Sequence, residues 1–325
     1  MNPFSTLIGL SSDFTIMTRE LREGLESYWH AVHDVLDGSG ISVTAPDESV
    51  YALSKNLFSL LFLYSYYRCD IPSERRILYA TINQCLRGMV TGCDNLLDDE
   101  YKITIDTSLP QEATTFRSVL DIMVSDRVLF STLSQYAEQT GCSRVLVTRA
   151  VNATLGALAQ SGAQEAAEEG GVTERVPPDV VLNQIHHLKT GLLFQSTWAV
   201  PALFEALTPQ MEQTRQALYD IGIGCQLLDD LVDLYTDIRE NRHNYVASWL
   251  AWNQHDAWAV AQEFAHDTSL DPEQFYRRES SWAPMIKQQA KARVEQGLSQ
   301  LFLDRHQMLC RPAAALIADR IGVSF

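Results

Sequence analysis

The stretch Gln226-Leu227-Leu228-Asp229-Asp230-Leu231-Val232-Asp233-Leu234-Tyr235-Thr236-Asp237 constrains this chain more than any other. At 3.6 residues per turn, Gln226, Asp229, Asp233 and Asp237 fall within one narrow arc of a helix. The positions between them are largely apolar. Aspartate is a poor helix former and is rarely buried without a partner. Three aspartates on one stripe of an apolar helix call for a counter-charge, yet no Lys or Arg follows until Arg239. A divalent cation is the simplest answer. Magnesium suits best, because it takes hard carboxylate oxygens, keeps several waters and shares its shell with phosphate. On this stretch alone, an amphipathic helix with a solvated acidic face remains the alternative.

The rest of the composition narrows the class. The chain has 325 residues, 46% of them hydrophobic, enough for one large helical domain or two small ones. Its net charge of −16 argues against direct nucleic-acid binding, which needs a basic footprint. An anionic substrate would need local cations or metal. The six cysteines, at 69, 85, 93, 142, 225 and 310, show no CxxC pair or metal spacing and read as reduced, mostly buried thiols of a cytoplasmic protein. Residues 1–12 lack a basic region followed by an apolar run, so no signal peptide is expected. The apolar run 57–67 is too short to span a bilayer, so no transmembrane segment is expected.

Periodicity and breakers place helices over 11–36, 47–67, 73–99, 116–139, 143–168, 178–206, 209–240, 243–266, 272–303 and 312–321. Asp37-Gly38-Ser39-Gly40, Pro110, Gly170-Gly171 and Pro177-Pro178 mark loops between them. No alternating β pattern, repeat or low-complexity tract stands out. The expected architecture is all-α, a single domain over 1–325, with long helices bundled around a central cavity.

A second acidic cluster, Cys93-Asp94-Asn95-Leu96-Leu97-Asp98-Asp99-Glu100, lies 135 residues before Asp229 and ends one of these helices. Asp94 and Asp98 are four apart and share a face. Two helices that each present carboxylates at this spacing would build a polynuclear magnesium site, one that binds a diphosphate and withdraws it as a leaving group. Di-iron bundles use Glu-x-x-His pairs instead, and none accompanies these clusters.

Here the chain resembles the trans-isoprenyl diphosphate synthase superfamily, the class I isoprenoid fold. Gln226-Leu227-Leu228-Asp229-Asp230-Leu231-Val232-Asp233 matches that family's second motif, Gln-x-x-Asp-Asp-x-x-Asp. Asp94-Asn95-Leu96-Leu97-Asp98 is similar to its first, Asp-Asp-x-x-Asp, with Asn95 in place of the second Asp. His187-Leu188-Lys189-Thr190-Gly191 looks like the Lys-Thr-Gly helix between them. The resemblance covers roughly residues 50 to 245. Gln226 through Asp237, followed by Arg239, Arg242 and Tyr245, also resembles the second motif of squalene and phytoene synthases.

The departures carry as much weight. Chain-elongating members have Gly-Gly-Lys-Arg-x-Arg-Pro upstream of the first motif; the matching positions here are Leu53-Ser54-Lys55-Asn56-Leu57-Phe58-Ser59. They also have an Arg-Arg pair after it, matched by Ile103-Thr104 with Lys102 nearby. Those arginines grip the diphosphate of isopentenyl diphosphate as bidentate forks, which Asn, Phe, Ile and Thr cannot do.

The resemblance therefore implies a class I terpene synthase, a lyase that ionises an allylic isoprenoid diphosphate and does not consume isopentenyl diphosphate. Asp94, Asp98, Asp229 and Asp233 would hold three magnesium ions. Lys189, Thr190, Gln226, Arg239, Arg242 and Lys55 would bind the substrate, with Asp94, Asp98, Asp229 and Lys189 central to ionisation. The alternatives are a prenyltransferase, by chain elongation or head-to-head condensation, and a non-catalytic subunit of a heteromeric prenyl synthase. Family members are often dimers, so a homodimer is implied.

Overall fold

The computed structural model describes residues 11–97, 101–266 and 282–323. Their elements are α1 (Ser12–Leu36), α2 (Leu57–Arg68), α3 (Ser73–Leu97), α4 (Thr114–Thr140), α5 (Arg144–Glu168), α6 (Pro178–Val180), α7 (Leu192–Ser196), α8 (Pro201–Phe204), α9 (Pro209–Val232), α10 (Leu234–Arg239), α11 (Tyr245–Asn253), α12 (His255–Ala265), α13 (Ala283–Leu301) and α14 (Cys310–Ile321). Among the described residues the one extended pairing is an isolated antiparallel bridge, Val43 to Thr107. The fold is all-α, as expected. Among the described residues no helix is long and apolar enough to cross a membrane.

Four of the helices expected to be continuous are broken. Residues 47–56 form two 3-10 turns, Glu48–Tyr51 and Leu53–Lys55, before α2 begins. Asp47 accepts from the Ser49 amide and caps the first of them. The stretch 178–206 is three short α pieces around two π-helical turns, Val181–Ile185 and His187–Gly191. The helix over 209–240 breaks at Asp233, which sits at φ −92°, ψ 6° between α9 and α10. The helix over 243–266 divides at Gln254. Periodicity misses such breaks because the apolar stripe runs through them. The helix expected over 272–303 is described from Ala283, its earlier part lying outside the described residues.

The described residues group into two compact units. One holds the chain up to Leu158 together with Ser196–Met211. In it α1, α2, α3 and α4 pack on one another around Met17, Tyr28, Leu63, Tyr64, Tyr66 and Val128, all buried. Tyr64 and Tyr66 are buried in this core, and the Tyr66 hydroxyl donates to the Thr197 carbonyl at 2.6 Å.

The loop after the first acidic cluster is tied down in this unit. Asn95, buried at the end of α3, donates to the Lys102 carbonyl (3.0 Å) and accepts the Lys102 amide (2.8 Å). An aspartate could not make both bonds, so Asn95 serves as a clamp where the family motif has a carboxylate. Arg117 on α4 donates to the Leu109 carbonyl at 2.6 Å and to Asp106 at 3.0 Å. Asp121, one turn on, accepts the backbone amides of Ile105 and Thr104.

The other unit holds Ala159–Gln195 and the described residues from Glu212 onward. Here α9 lies close against α13: a Cβ on Gly224 would stand 2.6 Å from Val294 Cγ2 and 3.1 Å from the Ala290 carbonyl. α13 packs on α14, and α11 packs on α12 and on the π-helical turn Val181–Ile185.

Asp121 yields a stability test. It is buried, its Oδ2 has no hydrogen-bond partner, and burial pushes its pKa up to about 7 against the helping backbone bonds. The folded chain therefore keeps this proton to higher pH than the unfolded chain, and stability falls as pH rises from about 4 to about 7. Asp121→Asn retains an acceptor for the loop amides and removes the titration. Denaturant melts should show the variant gaining on wild type across that window, by up to about 4 kcal/mol at pH 8. Parallel stability curves for the two proteins would refute this.

Candidate active site

Each candidate residue is placed by its own element. Asp229, at the end of α9, and Asp233, at the break, are joined by the backbone bond from the Asp233 amide to the Asp229 carbonyl (2.9 Å). The Asp237 amide bonds the Asp233 carbonyl in turn at 2.8 Å, so the helical register survives the break and all three aspartates keep one arc. Asp229 and Asp233 are exposed and Asp237 half-buried.

Asp230, one residue off the arc, behaves differently. It is buried, takes the Tyr245 amide at 2.6 Å and the Gln226 side-chain amide at 3.1 Å, and has His186 Nε2 3.1 Å away. Burial opposes its ionisation, but His186, Gln226 and the Tyr245 amide outweigh it and hold its pKa below the usual carboxylate value. Asp230 thus fixes the start of α11. Asn244 caps the same helix by accepting the Ala247 amide, and its side chain donates to both the Asp230 carbonyl and Asp237, each at 2.8 Å.

The exposed carboxylates repel one another. Partial desolvation, then Asp233 and Asp230, push the Asp229 pKa up to about 7. Burial, then Asp230, push Asp237 up to about 8, against Asn244 and Lys189. Like charges held together at this spacing lose their repulsion when a cation enters. Hard oxygen donors at i and i+4 fit magnesium. Among the described residues no three His, Cys, Asp or Glu groups converge closely enough to hold an ion alone. Magnesium commonly completes its shell with water and substrate phosphate.

Lys189, Thr190 and Gly191 lie on the second π-helical turn. Such turns are rare and frequent at functional sites. Gly191 lets the Tyr219 ring approach where a Cβ would collide with it. That closeness brings Thr190 to α9, where its hydroxyl bonds the Gln226 carbonyl oxygen. Gln226 then donates to Asp229 (3.4 Å) and Asp230 (3.1 Å), so Lys-Thr-Gly and Gln-x-x-Asp-Asp form one connected polar set. Lys189 pairs with Glu165 at 3.0 Å.

Arg239 donates to the Ala265 carbonyl (3.5 Å) and the Thr236 hydroxyl (3.4 Å), and Arg242 pairs with Glu240 at 3.0 Å. Several polar residues of this unit carried no sequence signal: His186, Glu165, Glu168 and Arg175. The Glu168 carboxylate, buried, accepts the His243 amide at 2.9 Å. Arg175 lies over the Trp258 ring at 5.0 Å and donates to the Arg242 carbonyl at 3.4 Å. None shares a spacing with the acidic motifs, so only the fold reveals them.

In the other unit Asp94 is half-buried on the last turn of α3; Asp98, with Asp99 and Glu100, lies outside the described residues. Lys55 reaches the Ser49 hydroxyl at 2.7 Å. It lines a pocket of about 480 Å³ with Asn56, Arg87, Lys102, Gln84 and Trp29. Arg87 donates to the Asn56 side-chain oxygen (3.2 Å) and the Lys55 carbonyl (3.3 Å). Asn56 is itself pinned, donating to the Val50 and Ala52 carbonyls at 2.6 and 3.0 Å. Arg87, on α3, thus places a guanidinium against Asn56. The three cations of this pocket are Lys55, Arg87 and Lys102.

The division between structural and open aspartates can be measured. Asp230→Ala removes the acceptor of the buried Tyr245 amide and of the Gln226 side-chain amide and should cost about 2–3 kcal/mol, the scale of leaving buried donors unsatisfied. Asp233→Asn, on an exposed side chain, should change stability by less than about 0.5 kcal/mol. Calorimetric unfolding of the two variants decides this, and equal losses would refute it.

No family model matches the chain. A geranylgeranyl diphosphate synthase of Pseudescherichia vulneris is 33% identical over 96 residues, which is 29% of this chain and 31% of that protein, so under a third of the relative's length is matched. Among solved structures, octaprenyl pyrophosphate synthase from Helicobacter pylori superposes with a TM-score of 0.60 at 15% identity, covering 92% of this chain and 99% of that one. Geranylgeranyl pyrophosphate synthetase from Pyrococcus horikoshii gives 0.58 at 14% identity, covering 94% and 99%. Geranylgeranyl pyrophosphate synthase from Lactobacillus brevis gives 0.58 at 17%, covering 96% and 98%. The chain has the all-α fold of the trans-isoprenyl diphosphate synthases, the superfamily that its motifs resemble.

Proposed function

We propose that this chain, 1–325 acting as one enzyme domain, is a magnesium-dependent prenyltransferase. It would break the carbon–oxygen bond of an allylic isoprenoid diphosphate, releasing diphosphate, and join the allylic carbon to the double bond of a second isoprenoid diphosphate, which then loses a proton. The observation that carries this reading is the Arg87–Asn56 bond, which gives the Lys55 pocket the guanidinium that its motif lacks. The relatives named above, prenyl diphosphate synthases by name, support the same class.

Asp94, Asp98, Asp229 and Asp233 are the metal ligands in this reading, for three magnesium ions. Bound magnesium would neutralise the departing diphosphate. Lys189 adds a point cation beside the second motif, and Thr190 orients Gln226, which steadies Asp229. Arg239 and Arg242 lie just beyond that motif and are assigned to diphosphate binding. Lys55, Arg87 and Lys102 hold the second diphosphate by charge-assisted bonds. Six free cysteines accord with a reducing, cytoplasmic setting.

The lyase reading, a terpene synthase, rests on the arginines absent at 56, 58, 103 and 104. Labelled isopentenyl diphosphate, mixed with enzyme, magnesium and allylic diphosphates of ten to twenty-five carbons, separates the readings. Label in a longer prenyl diphosphate is expected. Unlabelled hydrocarbon or alcohol would establish the lyase, and silence with every substrate a non-catalytic subunit. Arg87→Ala should raise the KM for isopentenyl diphosphate ~10- to 100-fold, one charge-assisted contact, while leaving the allylic KM unchanged. Equal effects on both would remove Arg87 from the second site.

We assign a homodimer on a stripe of exposed apolar side chains. Phe116, Met123 and Phe130 recur every seven residues on α4 at 51%, 62% and 46% exposure. A heptad stripe left in water favours self-association. Met123→Glu should convert dimer to monomer in light scattering; a wild-type monomer would refute the assignment.

A further inference from the structure

We propose that Glu165 is a competitive latch on Lys189: it holds the ammonium while no diphosphate is bound and recaptures it as diphosphate leaves. The inference rests on the reading of Lys189 as a diphosphate-binding cation. Ser161 and Glu165 are four apart on α5 and share one face. Ser161 donates to the Lys189 carbonyl at 2.8 Å, and the Glu165 carboxylate lies 3.0 Å from the Lys189 ammonium. One helix face thus grips a single residue by its backbone and by its charge.

The two grips differ in kind. The backbone bond fixes where the lysine starts. The ion pair sits at the end of a flexible four-carbon stem, so it can open without moving the helix. The pair is also within reach of solvent, with 20% of the lysine side chain and 23% of the glutamate exposed. Burial alone would weaken the hold of Lys189 on its proton, but Glu165, Glu168 and Asp237 outweigh that and raise its pKa. Lys189 therefore stays cationic through any neutral pH, and the question is only which anion it serves.

Carboxylate and phosphate oxygens compete for the same three ammonium donors. An incoming diphosphate must displace Glu165, which lowers its affinity. The same competition acts in reverse after the carbon–oxygen bond has broken. The diphosphate then loses Lys189 to a partner that is tethered and always present. Glu165 would thereby trade ground-state affinity for faster product release. It is a positioning residue, acting on diphosphate through Lys189.

The test is titration calorimetry of inorganic diphosphate with magnesium into the whole chain. Glu165→Gln keeps the side-chain shape and removes its charge. It should bind diphosphate about tenfold more tightly than wild type, the worth of one charge-assisted contact relieved. Lys189→Ala should bind more weakly, and adding Glu165→Gln to it should change nothing further. In turnover, Glu165→Gln should show lower KM and stronger product inhibition, a split that a merely supporting residue would not produce. Equal or weaker binding by Glu165→Gln, with wild type binding normally, overturns the latch alone. Should that variant misfold by circular dichroism, Glu165→Ala carries the same expectation and the same refutation. A wild-type chain that takes up no diphosphate overturns both the latch and the reading beneath it.

Discussion

Asp229, Asp230, Asp233 and Asp237 crowd four carboxyl groups onto one run of chain, and the buried, fully engaged Asp230 is the one that anchors it. A buried carboxylate survives as an anion only when its oxygens are bonded and a partner charge or donor stands near. Asp230 meets that condition with the Tyr245 amide, Gln226 and His186. Each partner comes from a different element: α11, α9 and the π-helical stretch. The carboxylate therefore ties three elements together at the point where the open aspartates emerge. After burial itself, its negative charge raises the pKa of Asp229 and Asp237, so the structural carboxylate also sets the electrostatics of its neighbours.

The breaks in the helices serve the same arrangement. At the break, Asp233 leaves helical geometry while the amide bonds 233 to 229 and 237 to 233 preserve the i, i+4 register, and the chain turns toward α11 only after α10, through Asn241 at φ 55°. Likewise the second π turn carries Lys189, and Gly191 permits the close approach of Tyr219 beside it. Irregular backbone collects at the motifs, where local preference yields to the needs of the site.

The helical class, most element positions and the acidic arc were legible because they depend on local periodicity. The breaks were not, since an apolar stripe continues through a π turn or a one-residue interruption. The polar set around the second motif was half legible. Lys189, Thr190, Gln226, Asp229 and Asp233 announce themselves as a spaced pattern. Glu165, Glu168, His186 and Arg175 come from other elements, and their roles exist only after the chain has folded. Asn95 was visible as a departure, but its function as a clamp on Lys102 needed the loop's path.

Arg87 shows why a missing motif residue is a weaker argument than it looks. A diphosphate responds to where a guanidinium ends, and the position of the Cα in the sequence is irrelevant to it. Arginine spans several ångströms from backbone to fork, so residues on neighbouring elements can deliver the same charge to one place. Asn56 cannot carry a positive charge, but its side-chain oxygen can accept one of the donors of Arg87 while its amide stays bonded to Val50 and Ala52. In the proposed reading, Asn56 and Arg87 are two halves of one arrangement. Counting arginines at aligned positions registers the first half as a loss and never sees the second. The two halves also share their anchor: an alanine at 56 would remove the side-chain acceptor of Arg87 and leave its bond to the Lys55 carbonyl, which belongs to the same turn.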